Sequence, residues 1–132
     1  MQHHATATVT LLTLLLYFWM AVRVAERRRQ AGILAPAMTG DATLERTIRA
    51  HANTLEWLPI FLPSLWLFAL YWNDAAAALA GFVWMIGRLI YFLGYVSDAE
   101  RRRPGFFIQA LAIAFLLFGT LGRVVYLLFR QY

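Results

Sequence analysis

Residues 5–22 pass eighteen positions without a charge, and three more apolar runs follow, divided by arginine clusters or very short turns. An uncharged run of this length can cross the ~30 Å hydrocarbon core of a bilayer as one helix, which takes about 17–25 residues. Hydrophobic residues make up 61% of the chain, above the ~45–50% usual for soluble domains. A globule of this size buries only about two thirds of its surface, so water offers no place for that excess. The sequence therefore predicts an all-α integral membrane four-helix bundle. It forms a single domain over residues 1–132, with helices near 5–29, 43–72, 75–98 and 105–130. The first run has no charged stretch before it, so it reads as a span and not as a cleaved signal peptide.

The second apolar run, residues 58–72, has only 15 residues and would reach about 22 Å, short of the hydrocarbon thickness. Its helix must borrow length from the polar stretch "RTIRAHANTLEW" before it, which draws Arg49, Asn53 and Glu56 to the membrane boundary. Pro59 and Pro63 are expected to bend this helix. Asp41 or Thr43 could cap its start. The dipeptide Asn73–Asp74 leaves room only for a tight antiparallel connection to the third helix. "DAERRRPG" reads as a loop before the fourth, with Pro104 suited to a first helical turn.

All twelve basic residues are arginines, and the net charge is +5. They lie at the ends of apolar runs and not along a solvated face, which favours membrane orientation over a nucleic-acid partner. The loops after the first and third helices are rich in Arg, whereas the loop after the second has none. Both Arg-rich loops are then expected on the cytoplasmic side and both termini on the other. Cysteine is absent, which excludes a disulfide framework, a thiolate metal site and a cysteine nucleophile. No metal site is expected, and any thiol chemistry must use a thiol brought by a substrate.

On a helix turning 100° per residue, Arg46, Arg49, Asn53 and Glu56 fall within about 80° of one another, a single stripe. Arg88, Tyr91 and Tyr95 fall within about 60° on the third helix. Ionisable residues at membrane depth are costly and face a bundle interior or a wet cavity, so the two stripes predict one shared site. Arg49 and Glu56 could instead neutralise each other or Arg88 and only fix helix register. His51 points off the stripe, which suggests a surface role. Several arginines, an amide, a carboxylate and two phenols suit a small zwitterion with more than one carboxylate. Glu56 would take its ammonium group. A thiol on that ligand, near Arg102 or Arg29, would ionise more readily beside the cation. An apolar second substrate would arrive from the lipid.

The pattern RxxRAxxNxxEWxPxF at 46–61, with "GRLIYFLGY" at 87–95 and "RRRPGF" at 101–106, resembles the MAPEG family of membrane glutathione-dependent proteins. The resemblance covers about residues 10–130. It implies a left-handed four-helix protomer assembled as a homotrimer, with glutathione as co-substrate held between protomers at the cytoplasmic side. By position it implies that Arg49, Asn53 and Glu56 of the second helix and Tyr91 and Tyr95 of the third bind glutathione. Arg102 matches an arginine thought to activate the thiol in the leukotriene-forming members. Arg28 and Arg29 stand where those members have a pair, of which one, here Arg29, is a second catalytic candidate. Arg88 matches an arginine that holds the third helix to its neighbours.

His51 stands where the leukotriene-forming members have Gln, and Trp57 where they have Tyr, so both fall among the expected glutathione contacts but leave the eicosanoid substrate aside. The resemblance thus implies a membrane glutathione transferase acting on lipophilic electrophiles, or a glutathione peroxidase acting on lipid hydroperoxides. Two other classes compete. A non-catalytic lipid- or glutathione-binding scaffold of the same family would have less need of Arg49, Asn53 and Glu56 together. A small four-helix exporter would want a carboxylate in mid-span, and the first helix offers none.

Overall fold

The computed structural model describes residues 2–132, which form four long helices: α1 (His4–Ala31), α2 (Ala42–Tyr71), α3 (Asp74–Ser97) and α4 (Arg103–Gln131). All four are long and apolar enough to cross a membrane. The helix ends differ by one or two residues from 5–29, 43–72, 75–98 and 105–130. The expected loop over residues 98–105 is instead a 3-10 turn, Ala99–Arg102, running straight into α4. The Asp98 carboxylate accepts from the Glu100 amide at 2.8 Å and starts that turn, while Pro104 fits the first turn of the helix beyond.

Local chemistry sets the other ends. Gly32 closes α1 at φ 68°, a left-handed conformation open to glycine, with Ile33 N–H returning to the Arg28 carbonyl at 3.1 Å. Asp41, the first of the two residues considered for the cap of α2, accepts from the Leu44 amide at 2.8 Å. Thr43 lies inside the helix. α2 continues through Pro59 and Pro63 without interruption. Asn73 caps α3 by accepting from the Ala76 amide at 2.7 Å. Asp74 then reaches the start of α1, accepting from the amides of Ala5 and Thr6 at 2.9 and 2.8 Å. One carboxylate thereby satisfies two orphan donors of a neighbouring helix and fixes the α2–α3 turn beside the beginning of α1.

α2 and α3 form the centre of the bundle. α1 packs against both on one flank and α4 against both on the other. Phe61 of α2 stacks on Trp84 of α3 with centroids 3.9 Å apart, and Leu65, Phe68 and Leu116 complete the main core. The outside is as apolar as the inside: Leu15 and Phe18 on α1, and Phe115 and Phe118 on α4, are largely exposed. Meanwhile Arg88 and Gln109 are completely buried. Apolar flanks around a partly polar interior are the arrangement a bilayer stabilises and water does not.

The α3–α4 crossing is closest at Gly105, where an added Cβ would run into the backbone of Tyr91 and stand 2.6 Å from the Gly87 carbonyl oxygen. At Gly94 the same addition would collide with the Arg101 carbonyl. These two glycines let the 3-10 turn and the start of α4 lie directly on the end of α3. That contact brings Arg102 beside Tyr95.

Candidate functional site

At the Arg-rich end of the bundle, α2, α3 and α4 enclose a cavity of about 620 Å³. Arg49 and Asn53 line it from α2, Tyr91 and Tyr95 from α3, and Arg102, Arg103, Phe106 and Phe107 from the turn into α4. Of the two polar stripes expected from helical spacing, Arg49 and Asn53 of one and Tyr91 and Tyr95 of the other share this cavity.

A directed string of hydrogen bonds runs from the interior to the mouth. Arg88, fully buried, donates through both terminal nitrogens to Asn53 Oδ1 at 3.1 Å and through Nη2 to Thr54 Oγ1 at 2.8 Å. With its oxygen thus occupied, Asn53 turns its amide nitrogen to Glu56 Oε2 at 3.2 Å. Arg49 closes the string from the other side, with Nη1 donating to Glu56 Oε1 at 2.7 Å and Nη2 to Oε2 at 3.4 Å. Only one orientation of the Asn53 amide satisfies both neighbours, so the buried arginine dictates what the amide shows to the cavity.

Exposure divides this string. The side chains of Arg49 and Glu56 are each 53% exposed, where an ion pair adds little to stability and is readily exchanged for a ligand's charges. Arg88 has no such freedom. Its guanidinium carbon sits 4.2 Å from the centroid of the Tyr91 ring, which supplies a cation–π contact in the dry interior.

The opposite wall is aromatic. Tyr91 and Tyr95 have centroids 5.6 Å apart, and Phe106 stands 6.3 Å from Tyr91. Trp57 packs edge-on against Phe106 at 5.8 Å, so it backs the wall without lining the cavity. The Arg102 guanidinium carbon lies 5.2 Å from the Tyr95 centroid, held over the ring beside the cavity. Of the three consecutive arginines, Arg102 and Arg103 line the cavity and Arg101 does not, because its backbone is pressed against Gly94. Arg103 also pairs with Glu100 at 2.7 Å.

Three expected site residues lie elsewhere in the chain. Arg28 donates to the Ala37 carbonyl at the end of α1, and Arg29 beside it is exposed. Neither lines the cavity, since α1 occupies the flank away from α4. His51 is only partly exposed. Its ring stacks on Tyr17 of α1 with centroids 4.6 Å apart, and its Nε2 is buried with no hydrogen-bond partner. Arg46 leaves the expected stripe as well: its Nε donates to the Val96 carbonyl at 3.2 Å, on the α1 side of α3. The angular reading grouped it with Arg49 because a helical projection records direction and not which neighbour a long side chain reaches. Phe107, beside Phe106 in the cavity wall, carries no signal in sequence beyond following the motif that ends at Phe106.

The arrangement offers guanidinium donors for anions, a carboxylate for a cation and an aromatic wall that ends in the exposed Phe107. No group of three or more acidic, His or Cys side chains suited to a metal ion occurs among the described residues.

Comparison with known proteins agrees with this architecture. The model of the MAPEG family matches residues 6–122. An uncharacterised protein of a Synechocystis strain is 40% identical over 120 residues, which cover 91% of this chain and 88% of that one. Leukotriene C4 synthase of Cavia porcellus is 39% identical over 123 residues, covering 92% and 82% of the two chains. Microsomal glutathione S-transferase 2 of Homo sapiens is 36% identical over 117 residues, covering 88% and 80%. With four apolar spans and a match along nearly its whole length, the chain belongs to the MAPEG family and is a multi-pass integral membrane protein.

Proposed function

We propose that the cavity binds glutathione and that the protein is a membrane glutathione transferase, joining the thiolate of glutathione to lipophilic electrophiles. The observation that carries this reading is the convergence of Arg49, Asn53 and Arg102 with Tyr91 and Tyr95 at one cavity, with Glu56 bonded to Arg49 and Asn53 behind them. Two relatives whose names denote a glutathione S-transferase and a leukotriene C4 synthase support it.

In this reading Arg49 exchanges part of its pairing with Glu56 for a glutathione carboxylate, and Glu56 turns to the ammonium group. Asn53, fixed by Arg88, holds the peptide backbone between them. Arg103 is available for the second carboxylate. The tyrosine rings flank the cysteinyl part, and Arg102 stands beside the sulfur. A cation there favours the thiolate, the nucleophilic form. The thiol proton passes to solvent, the sulfur lone pair forms the new bond to the electrophilic carbon, and the leaving group departs with its bonding electrons. The electrophile approaches from the bilayer over Phe106 and Phe107. A peroxidase reaction would use the same thiolate on a lipid hydroperoxide.

Arg28, Arg29 and His51 enter this reading only through assembly. In a homotrimer the α1 flank of one protomer would face the cavity of the next, which gives the unpartnered His51 nitrogen and the two arginines a route to the ligand. The Arg-rich end is assigned to the cytoplasm, where glutathione is available, with both termini opposite.

Calorimetric titration of glutathione into detergent-purified protein, beside Arg49→Leu, tests the binding step. Saturable binding that weakens about tenfold in the variant is expected; no binding to the unaltered protein overturns the proposal. Turnover of an aryl halide with glutathione then separates a transferase from a scaffold that binds without reacting.

A further inference from the structure

A second cavity, about 410 Å³, opens at the same end of the bundle but on the α1 side of the α2–α3 pair. It shares no lining residue with the first. Arg23 and Arg27, one turn apart on α1, face Thr43 and Arg46 of α2 across it, and the last turns of α3 close it from the third side. Its charge is not cancelled internally. Arg23 is paired with Glu26 at 2.6 Å, but Arg27 makes its side-chain bond to the neutral Gln30 at 2.9 Å. Arg46 donates to the Val96 carbonyl and, at 3.5 Å, to the Thr43 hydroxyl. The nearby Asp41 is engaged in capping α2. Two guanidinium groups, each with five N–H donors of which only one or two are used, therefore share one cavity.

On the α3 side the lining is mainly apolar, with Phe92, Leu93 and Val96 beside Ser97. Leu93 is 53% exposed on the outer surface of α3, with Val96 one turn nearer the Arg-rich end. A soluble anion has no use for such a surface, whereas a lipid places an anionic phosphate and an acyl chain at this spacing. We propose that this cavity is a binding site for the phosphate of an anionic phospholipid. Arg27 and Arg46 take the phosphate oxygens, the Thr43 hydroxyl is available to donate to them, and the acyl chain lies along Leu93. Basic clefts between membrane helices at headgroup level suit such lipids on electrostatic grounds. Free phosphate shares the headgroup chemistry, and the apolar side of the cavity is what favours the lipid.

The test uses the full chain reconstituted in phosphatidylcholine vesicles containing phosphatidylglycerol, released into detergent and weighed intact with its retained lipids. Preferential retention of phosphatidylglycerol is expected, and Arg27→Gln should reduce that preference about fivefold, as for removal of one arginine near an anionic surface. Arg27 makes no bond outside its own helix, so the variant should fold and keep its glutathione titration unchanged. Equal retention of both lipids by the unaltered protein overturns the proposal without need of any variant, as does an undiminished preference in Arg27→Gln. Millimolar inorganic phosphate should leave retention intact. Displacement of the lipid by phosphate would reassign the site to the free anion and overturn the lipid assignment.

Discussion

Two positions on the same polar string obey opposite rules. Arg88 lies at its inner end, fully buried, with both terminal nitrogens bonded to Asn53 or Thr54. Arg49 lies at its outer end, half exposed, bound to a carboxylate that is equally exposed. Removing the inner arginine takes a donor from the buried Thr54 hydroxyl and both donors from the Asn53 oxygen beside the cavity. Removing the outer one frees a carboxylate that solvent can satisfy. The same side chain thus serves as framework in one place and as an exchangeable contact in the other, and burial alone makes the difference.

The largest effect should come from disturbing the crossing that brings both ends of the site together. Gly105→Ala puts a methyl group against the Tyr91 backbone and should cost about 3 kcal/mol, at the upper end for overpacking. Thermal unfolding in detergent should show a much lower midpoint or no cooperative transition. A midpoint unchanged by this substitution would mean that α3 and α4 can separate there without loss.

Arg88→Leu should come next, at about 2 kcal/mol for the acceptors left unpaired, and it should weaken glutathione binding although Arg88 does not line the cavity. Binding of normal strength in that variant would show that Asn53 is oriented without it.

Arg49→Leu should invert the pattern, leaving the unfolding midpoint nearly in place while glutathione affinity falls about tenfold, as for loss of one charged hydrogen bond. If stability falls as far as in Arg88→Leu, the contrast between the two ends fails. Glu56→Gln should lower affinity less, because the amide can still accept from a ligand's ammonium group.

Arg102→Ala separates binding from chemistry. It should slow turnover more than it weakens binding and move the pH–rate profile upward by about one pH unit, as expected when a nearby cation is lost from a thiolate. Identical profiles for variant and unaltered protein would shift the role to Arg103.

Much of this molecule was legible in its sequence because the bilayer imposes simple rules. A span must be long, uncharged and helical, so the four helices, their limits and the common end of the Arg-rich loops follow from composition and punctuation. The pairing of Asn53 and Glu56 with Arg49 also follows, since spacing on one helix fixes the shared stripe. Other features depend on contacts between helices, which spacing along one helix does not encode. Arg46 turned to Val96 and His51 to Tyr17 because those partners lie on α3 and α1. The choice of Arg102 and Arg103 over Arg101 was made by Gly94 and Gly105, whose missing side chains let the turn lie against α3. The sequence by itself determined which segments enter the membrane and which charges travel with them, because transfer from water to lipid acts on each residue separately. Only the tertiary structure decided which of those charges meet, because that depends on how closely two helices approach and on which flank of the central pair each side chain emerges.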